Sequence, residues 1–166
     1  MTLSFFPAFN PGAEVSPKVR AAAQGALQQH DHLWATVVAR TIALSPIEQH
    51  KLVNHGVSTS VLADLVKSYA ALNEAEILSA VGISSRTIQR RKDAVLSSEH
   101  SGAALDLIEV TQRAMDVLGS RQIAEEWLHR PALAFDGRKP IELLSTRQGA
   151  DLVKDHLTRM DYGVYA

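Results

Sequence analysis

Residues 73–95 read NEAEILSAVGISSRTIQRRKDAV, and the fold turns on how this stretch is read. Asn73 and Glu76 stand three apart, the spacing of a capping box, ahead of Ile77, Leu78 and Val81 at helical intervals. Gly82 ends that helix, and Ser84 is placed to cap a second one running from Ser85 to about Leu96. Two helices across so short a glycine-containing turn make either a helix-turn-helix or a plain αα-corner. The side chains favour the first. Ile77, Val81, Ile83 and Ile88 are spaced to form the small core that holds such helices at a steep angle. The outward residues of the second helix are those that meet nucleic acid: Arg and Gln pair bidentately with base edges, while Ser, Thr and Lys hold phosphates. Ser84, Ser85, Arg86, Thr87, Gln89, Arg90 and Lys92 are therefore the expected DNA contacts, with Ser85, Arg86, Gln89 and Arg90 as readers. Arg91 lies nearer the inward stripe and reads as a flanking contact. The competing readings are a solvated basic helix and a helix pair used for self-association.

Working outward, no run of alternating apolar and polar residues reads as a strand, and the expected class is all-α. The chain has 166 residues, 46% hydrophobic but only 5% aromatic, a balance that suits helix packed on helix. A formal charge of −1 excludes a globally basic nucleic-acid binder and leaves room for a local basic patch. With no cysteine there is no disulfide, thiolate metal site or cysteine nucleophile. The opening MTLSFFPAFNPG lacks a basic n-region and is broken by Pro7 and Pro11, so a signal peptide is not expected. No apolar run is long enough to span a bilayer, and a soluble cytoplasmic protein is expected.

The chain divides on this reading into a partly helical extension over residues 1–56, a helix-turn-helix over 57–98 and a further helical domain over 99–166. In the extension a helix is expected from Asp31 to about Leu44, with a break at Pro46. The polar stretch from Ser97 to Gly102 looks like a boundary. Beyond it, helices are expected through Leu105, Ile108, Met115 and Leu118, and through Ile123, Ala124, Trp127 and Leu128. A loop with the turn Asp136-Gly137 follows, then a short helix opened by Pro140. Ser145 and Gln148 are spaced as a capping pair for a last helix, whose Ala150, Val153, Leu157 and Met160 fall on one stripe.

Residues 114–166, AMDVLGSRQIAEEWLHRPALAFDGRKPIELLSTRQGADLVKDHLTRMDYGVYA, resemble the toxin-binding domain of the Xre/MbcA/ParS-type antitoxins. The matching elements are Ala124, Trp127-Leu128, Pro131, Gly137, Pro140, Leu143-Leu144, Ser145-Thr146, Gly149, Val153, Leu157 and the closing Tyr162-Gly163-Val164-Tyr165. Residues 82–104 are similar to that family's Xre-like helix-turn-helix and its bridge. Where the family commonly has Leu-Gly-Gly in the turn, this chain has Phe135-Asp136-Gly137. The resemblance implies an Xre-like helix-turn-helix followed by a small helical toxin-binding domain. It implies an antitoxin encoded beside a RES-domain toxin that depletes NAD⁺, blocking that toxin's NAD pocket with its last helix and tail. The toxin-facing residues would be Lys154, Leu157, Arg159, Met160, Asp161, Tyr162, Gly163, Val164, Tyr165 and Ala166. The helix-turn-helix would bind operator DNA, alone or with toxin, and repress the shared operon, most simply as a homodimer. No catalysis, cofactor, metal or membrane is implied.

The tail fits that reading on its own terms. Two of the three tyrosines, Tyr162 and Tyr165, lie in the last five residues. Burying a ring stabilises by about 1.5–3 kcal/mol, and ordering each tail residue costs about 1–2 kcal/mol, so folding back on its own domain is close to neutral. A partner's pocket adds area and hydrogen bonds. Other constellations carry less: His30 and His32 lack further ligands nearby, and Glu125-Glu126 are adjacent on a helix and point apart. The alternative function is a stand-alone helix-turn-helix regulator whose C-terminal half dimerises or binds another partner.

Overall fold

A computed structural model describes residues 16–90 and 94–163. In chain order the described elements are α1 (Pro17–Arg40), α2 (Pro46–His55), α3 (Thr59–Ser68), α4 (Glu74–Val81), α5 (Ser85–Arg90), α6 (Ser98–Leu118), α7 (Arg121–His129), a 3₁₀ turn (Leu133–Phe135), α8 (Pro140–Leu143) and α9 (Arg147–Asp161). Strand-like pairing among the described residues is confined to two isolated bridges, Ser58 with Val95 and Ala132 with Arg138. The chain is all-α, as the periodicity predicts.

The long helix α6 is the axle of the fold. Ala104, Leu105, Leu107, Ile108, Val110 and Ala114 are buried on it, so its apolar face runs well beyond one stripe. α2 and α4 pack on it from the N-terminal side, α7 and α9 from the C-terminal side, and α8 fills the corner between α4, α7 and α9. One hydrophobic cluster runs from Trp34 in α1 through Leu62, Leu65 and Ile77 to Leu128, Val153 and Leu157. The expected boundary at Ser97–Gly102 is instead the entry into α6. Ser97 Oγ accepts from the His100 N–H, and Ser101 is fully buried with its Oγ accepting from Val57 N–H at 2.9 Å. The polarity of that stretch is helix-capping polarity, not that of a linker.

Three other local expectations change. The first helix runs from Pro17 to Arg40 rather than 31–44, because the chain turns at Thr41, whose Oγ1 bonds to Val37 O at 2.6 Å. Ser45 and Glu48 then form a capping box that starts α2. The second helix of the pair is described to Arg90, and the chain is no longer helical at Ala94, so it does not reach Leu96. From Ala94 the chain runs back along Val57–Thr59, with Leu96 N–H donating to Val57 O at 2.8 Å and Thr59 N–H to Ala94 O at 3.1 Å. The cap of α9 is Thr146, whose Oγ1 accepts from Gly149 N–H at 3.0 Å, while Ser145 Oγ donates to Glu142 O. Gly149 itself has a packing reason. A Cβ there would lie 1.9 Å from the Leu143 carbonyl oxygen, so only glycine lets α9 cross the end of α8 so closely.

Candidate functional sites

The helix-turn-helix is built by α4, the turn at Gly82 and α5. Asn73 and Glu76 form the expected capping box on α4, and Gly82 takes the left-handed conformation at φ 83°, which turns the chain sharply. Ile77, Leu78, Val81 and Ile83 are buried, and Ile88 is half-buried against them. Ser84 Oγ accepts from Thr87 N–H and shares a hydrogen bond with Thr87 Oγ1 at 2.9 Å. Of the residues expected to contact DNA, Ser84, Ser85, Arg86, Thr87, Gln89 and Arg90 are all exposed, and Lys92 lies outside the described residues. Ser85 with Gln89 and Arg86 with Arg90 are each four apart, so they form one outward stripe over two turns. Thr87 is partly committed to its own helix start.

The second site is the C-terminal end of α9 with the rim of α7 and α8. Here the structure separates residues that the sequence pattern grouped. Leu157 is fully buried and belongs to the core of its own chain, so it has no surface to offer a partner; this corrects its place among the contact residues. Lys154 is half-buried and donates to Asp106 at 2.6 Å and to Glu109 at 2.8 Å, both on α6. Burial opposes its charge, but these two carboxylates more than compensate and hold its pKa above the ordinary lysine value. Its ammonium is a brace. Asp161 is likewise tied to α6, through Arg113 Nη2 at 3.0 Å, although both side chains remain largely exposed. Arg159, Tyr162 and Gly163 face outward, Tyr162 with 77% of its surface exposed, and Met160 is half-buried. Val164, Tyr165 and Ala166 lie outside the described residues.

Some exposed groups escape a periodicity argument. Leu133 is 96% exposed at the 3₁₀ turn, and Ile123 on α7 and Leu152 on α9 are about half exposed. Trp127 stacks on His156 with ring centroids 6.2 Å apart and nearly parallel, and Phe135 meets His156 edge-on at 5.0 Å. Burial, and then the charge of nearby Arg159, depress the His156 pKa, which favours the neutral ring at neutral pH. Phe135 is buried and Trp127 and His156 are half-buried, so the trio joins the 3₁₀ turn and α7 to α9. Leu133 sits within the proline- and glycine-bounded loop, and an apolar residue in a turn is the signal that marks it.

A further node joins the two halves. Glu125, adjacent to Glu126 and set aside as a catalytic pair, is buried, and its Oε2 accepts from Ala70 N–H at 2.8 Å and Ala71 N–H at 2.7 Å. Its Oε1 takes the Arg121 Nε–H at 2.8 Å. The Arg121 guanidinium lies 4.6 Å over the Trp34 ring and 5.5 Å from Tyr69, and also donates to the carbonyls of His30 and Ser68. One ion pair thereby ties α7 to α1 and to the α3–α4 turn. On the opposite side Glu76 of α4 receives Lys139 Nζ at 3.0 Å and lies 2.8 Å from His129 Nδ1. Partial burial opposes the charge on Glu76, yet Lys139, the Asn73 N–H and His129 together depress its pKa. Among the described residues there is no group of three or more metal-ligating side chains, and no helix is long and apolar enough to cross a membrane.

These features define an all-helical helix-turn-helix protein with a second helical domain built on a shared axle. Comparison with known proteins finds two domains in the same order. Residues 48–109 match the antitoxin Xre-like helix-turn-helix domain, and residues 113–163 match the antitoxin Xre/MbcA/ParS C-terminal toxin-binding domain. An Antitoxin Xre of Yersinia enterocolitica is 32% identical over 117 residues, which cover 69% of this chain and 78% of the relative. An Antitoxin Xre of Photorhabdus laumondii is 24% identical over 82% of this chain and 92% of its own length. A Prs ADP-ribosylating antitoxin of a Sphingobium species is 25% identical over 74% of this chain and 83% of its own length. The chain belongs to the Xre family of antitoxins. That is a family of toxin-binding proteins and not of enzymes, and its two domains imply a toxin partner and DNA binding.

Proposed function

We propose that this chain is the antitoxin of a type II toxin–antitoxin pair, which neutralises a RES-domain, NAD-degrading toxin by occluding its NAD site and represses its own operon as a cytoplasmic homodimer. The observation that carries the toxin half is the construction of α9. Its inner face is buried and three ion pairs fasten it to α6, yet it ends on outward-facing Arg159 and Tyr162. A rigid helix that delivers an exposed aromatic end inserts into a concave partner at little further entropic cost. The residues proposed to meet the toxin are therefore Arg159, Met160, Tyr162 and Gly163 with the tail Val164–Ala166, while Lys154 and Asp161 hold the helix in place. On the DNA side Ser85, Arg86, Gln89 and Arg90 read base edges, and Ser84, Thr87 and Lys92 position the helix on phosphates.

The test is co-expression with the neighbouring gene while cellular NAD⁺ is followed. The expected result is a stable complex with NAD⁺ preserved, and loss of protection when Tyr162–Ala166 are deleted. Full protection by the truncated chain overturns the plug. No complex and no effect on NAD⁺ favour the stand-alone regulator instead. A second reading keeps the antitoxin and changes the chemistry of its partner, prompted by the name of the Sphingobium relative. An ADP-ribosylating partner breaks the same glycosidic bond of NAD⁺ and releases nicotinamide, but passes the ADP-ribose to a protein instead of to water. A labelled protein band from ³²P-NAD⁺, suppressed by this chain, selects that reading; free ADP-ribose selects the first.

A further inference from the structure

Among the described residues, nothing covers the first half of α1. Every residue from Ser16 to Gln29 is exposed, and only from His30 does the helix sink into the body. Its pattern does not stop where the body stops. Val19, Ala23, Ala26 and Leu27 lie on the same helical face as Trp34 and Val37, which are buried in the core. The core-facing stripe thus runs on for some three turns, roughly 16 Å, beyond the described body. Val19 and Leu27 are 56% and 53% exposed. Helices this short are marginal in water without tertiary packing, and Gly25 lowers the propensity by about a further 1 kcal/mol. Such an arm is built to be covered.

The geometry points to a second copy of this chain as the cover, each arm lying in a groove at the foot of the other. This rests on the dimer in the reading above and names the surface that makes it. The groove opens between α1, the α3–α4 turn and α7, and is lined by Ala70, Ala71, Gln122 and Glu126 as well as by Ala23 and Leu27 of the arm itself. Ala70 and Ala71 give it a flat floor of the kind that accepts a helix closely. Charge complements shape: the arm carries Lys18 and Arg20 and no acidic residue between 16 and 29, while the groove offers Asp31 and the exposed Glu126. Arm and groove belong to one chain, so the pairing is self-complementary and closes under a twofold axis without leaving a free face. A DNA phosphate would satisfy Lys18 and Arg20 but leave the apolar stripe uncovered.

The test is the mass of the full chain by analytical ultracentrifugation across a concentration series, with circular dichroism as a check on folding. Wild type is expected to sediment as a dimer. Val19→Glu with Leu27→Glu changes only exposed side chains, so the fold is kept. It should weaken self-association by on the order of 100-fold or more, because carboxylates buried in an apolar seam are costly. Gly25→Ala, on the opposite side of the arm, should leave the dimer intact and raise helicity. Arg20→Glu should weaken the dimer and Glu126→Arg restore it. A dimer that survives the Val19 and Leu27 changes overturns the arm as interface and leaves the dimer itself standing. A wild-type monomer at every concentration overturns both.

Discussion

α5 and α9 both present candidate contact residues, and they are secured in opposite ways. The described part of α5 spans six residues, none fully buried, and is held by Gly82 and the Ser84 cap before it, by the half-buried Ile88, and farther on by Ala94 and Leu96 pairing with Thr59 and Val57. α9 has fifteen residues, with Gly149, Ala150, Val153 and Leu157 buried along its length and Lys154 and Asp161 clamped to α6. A helix held mainly by its surroundings, with only Ile88 turned inward, can give most of its side chains to a partner. A helix held along its length gives only one face and its terminus. Substitutions in α5 should therefore separate binding from stability, and those in α9 should mix the two.

The largest expected effect lies outside both helices, at the node that fixes them to a common frame. Glu125→Ala leaves the Arg121 charge and the Ala70 and Ala71 N–H groups without their acceptor, and should cost about 3–5 kcal/mol in urea unfolding. Next comes the contrast within α9. Leu157→Ala should cost about 2–5 kcal/mol through the cavity it leaves, whereas Tyr162→Ala should change stability by less than about 0.5 kcal/mol while weakening toxin binding. Equal stability losses for the two would erase the distinction between a structural face and a contact end. In α5, Arg86→Ala and Arg90→Ala should each weaken operator binding by about 1–3 kcal/mol in gel shifts, with thermal unfolding unchanged and a shallower dependence on salt. Unaltered gel shifts would turn α5 into a purely structural or dimerising element. The smallest effect is expected of pH. The Glu76 pKa is depressed in the folded state, so its contribution is complete above the ordinary carboxylate value and fades as pH falls through the lowered one. Glu76→Gln should lower stability at neutral pH by about 1 kcal/mol and flatten its fall toward acid pH, while leaving operator binding in gel shifts unchanged.

What the sequence revealed follows the same division. The capping box at Asn73, the turn at Gly82 and the outward stripe on α5 were legible because each is decided by neighbours three or four residues away. The brace from Lys154 was not, because its partners Asp106 and Glu109 are more than forty residues distant and a lysine on a polar face looks free. Leu157 was read as a contact through the family pattern, although its own place on the stripe with Val153 already spoke for the core. Glu125 was hidden by Glu126: two adjacent carboxylates look alike in a string, and only the fold sends one to the α3–α4 turn and the other to the surface. The return of the chain before Leu96 escaped for a similar reason. The basic run continues the helical pattern, while the pairing of Leu96 with Val57 depends on a residue nearly forty positions earlier.

The shared helix α6 has a consequence for how such a molecule is removed. The two family domains meet between residues 109 and 113, in the middle of a continuous helix from Ser98 to Leu118 and not at a loop. Val57, at the foot of the helix-turn-helix, donates its N–H to Ser101 Oγ at one end of α6, and α9 hangs on Asp106, Glu109 and Arg113 farther along it. A protease that pulls on either end has to melt the same helix, so no folded half survives digestion of the other. Whatever the two surfaces hold is let go in a single event, and the lifetime of the whole chain sets the clock for both.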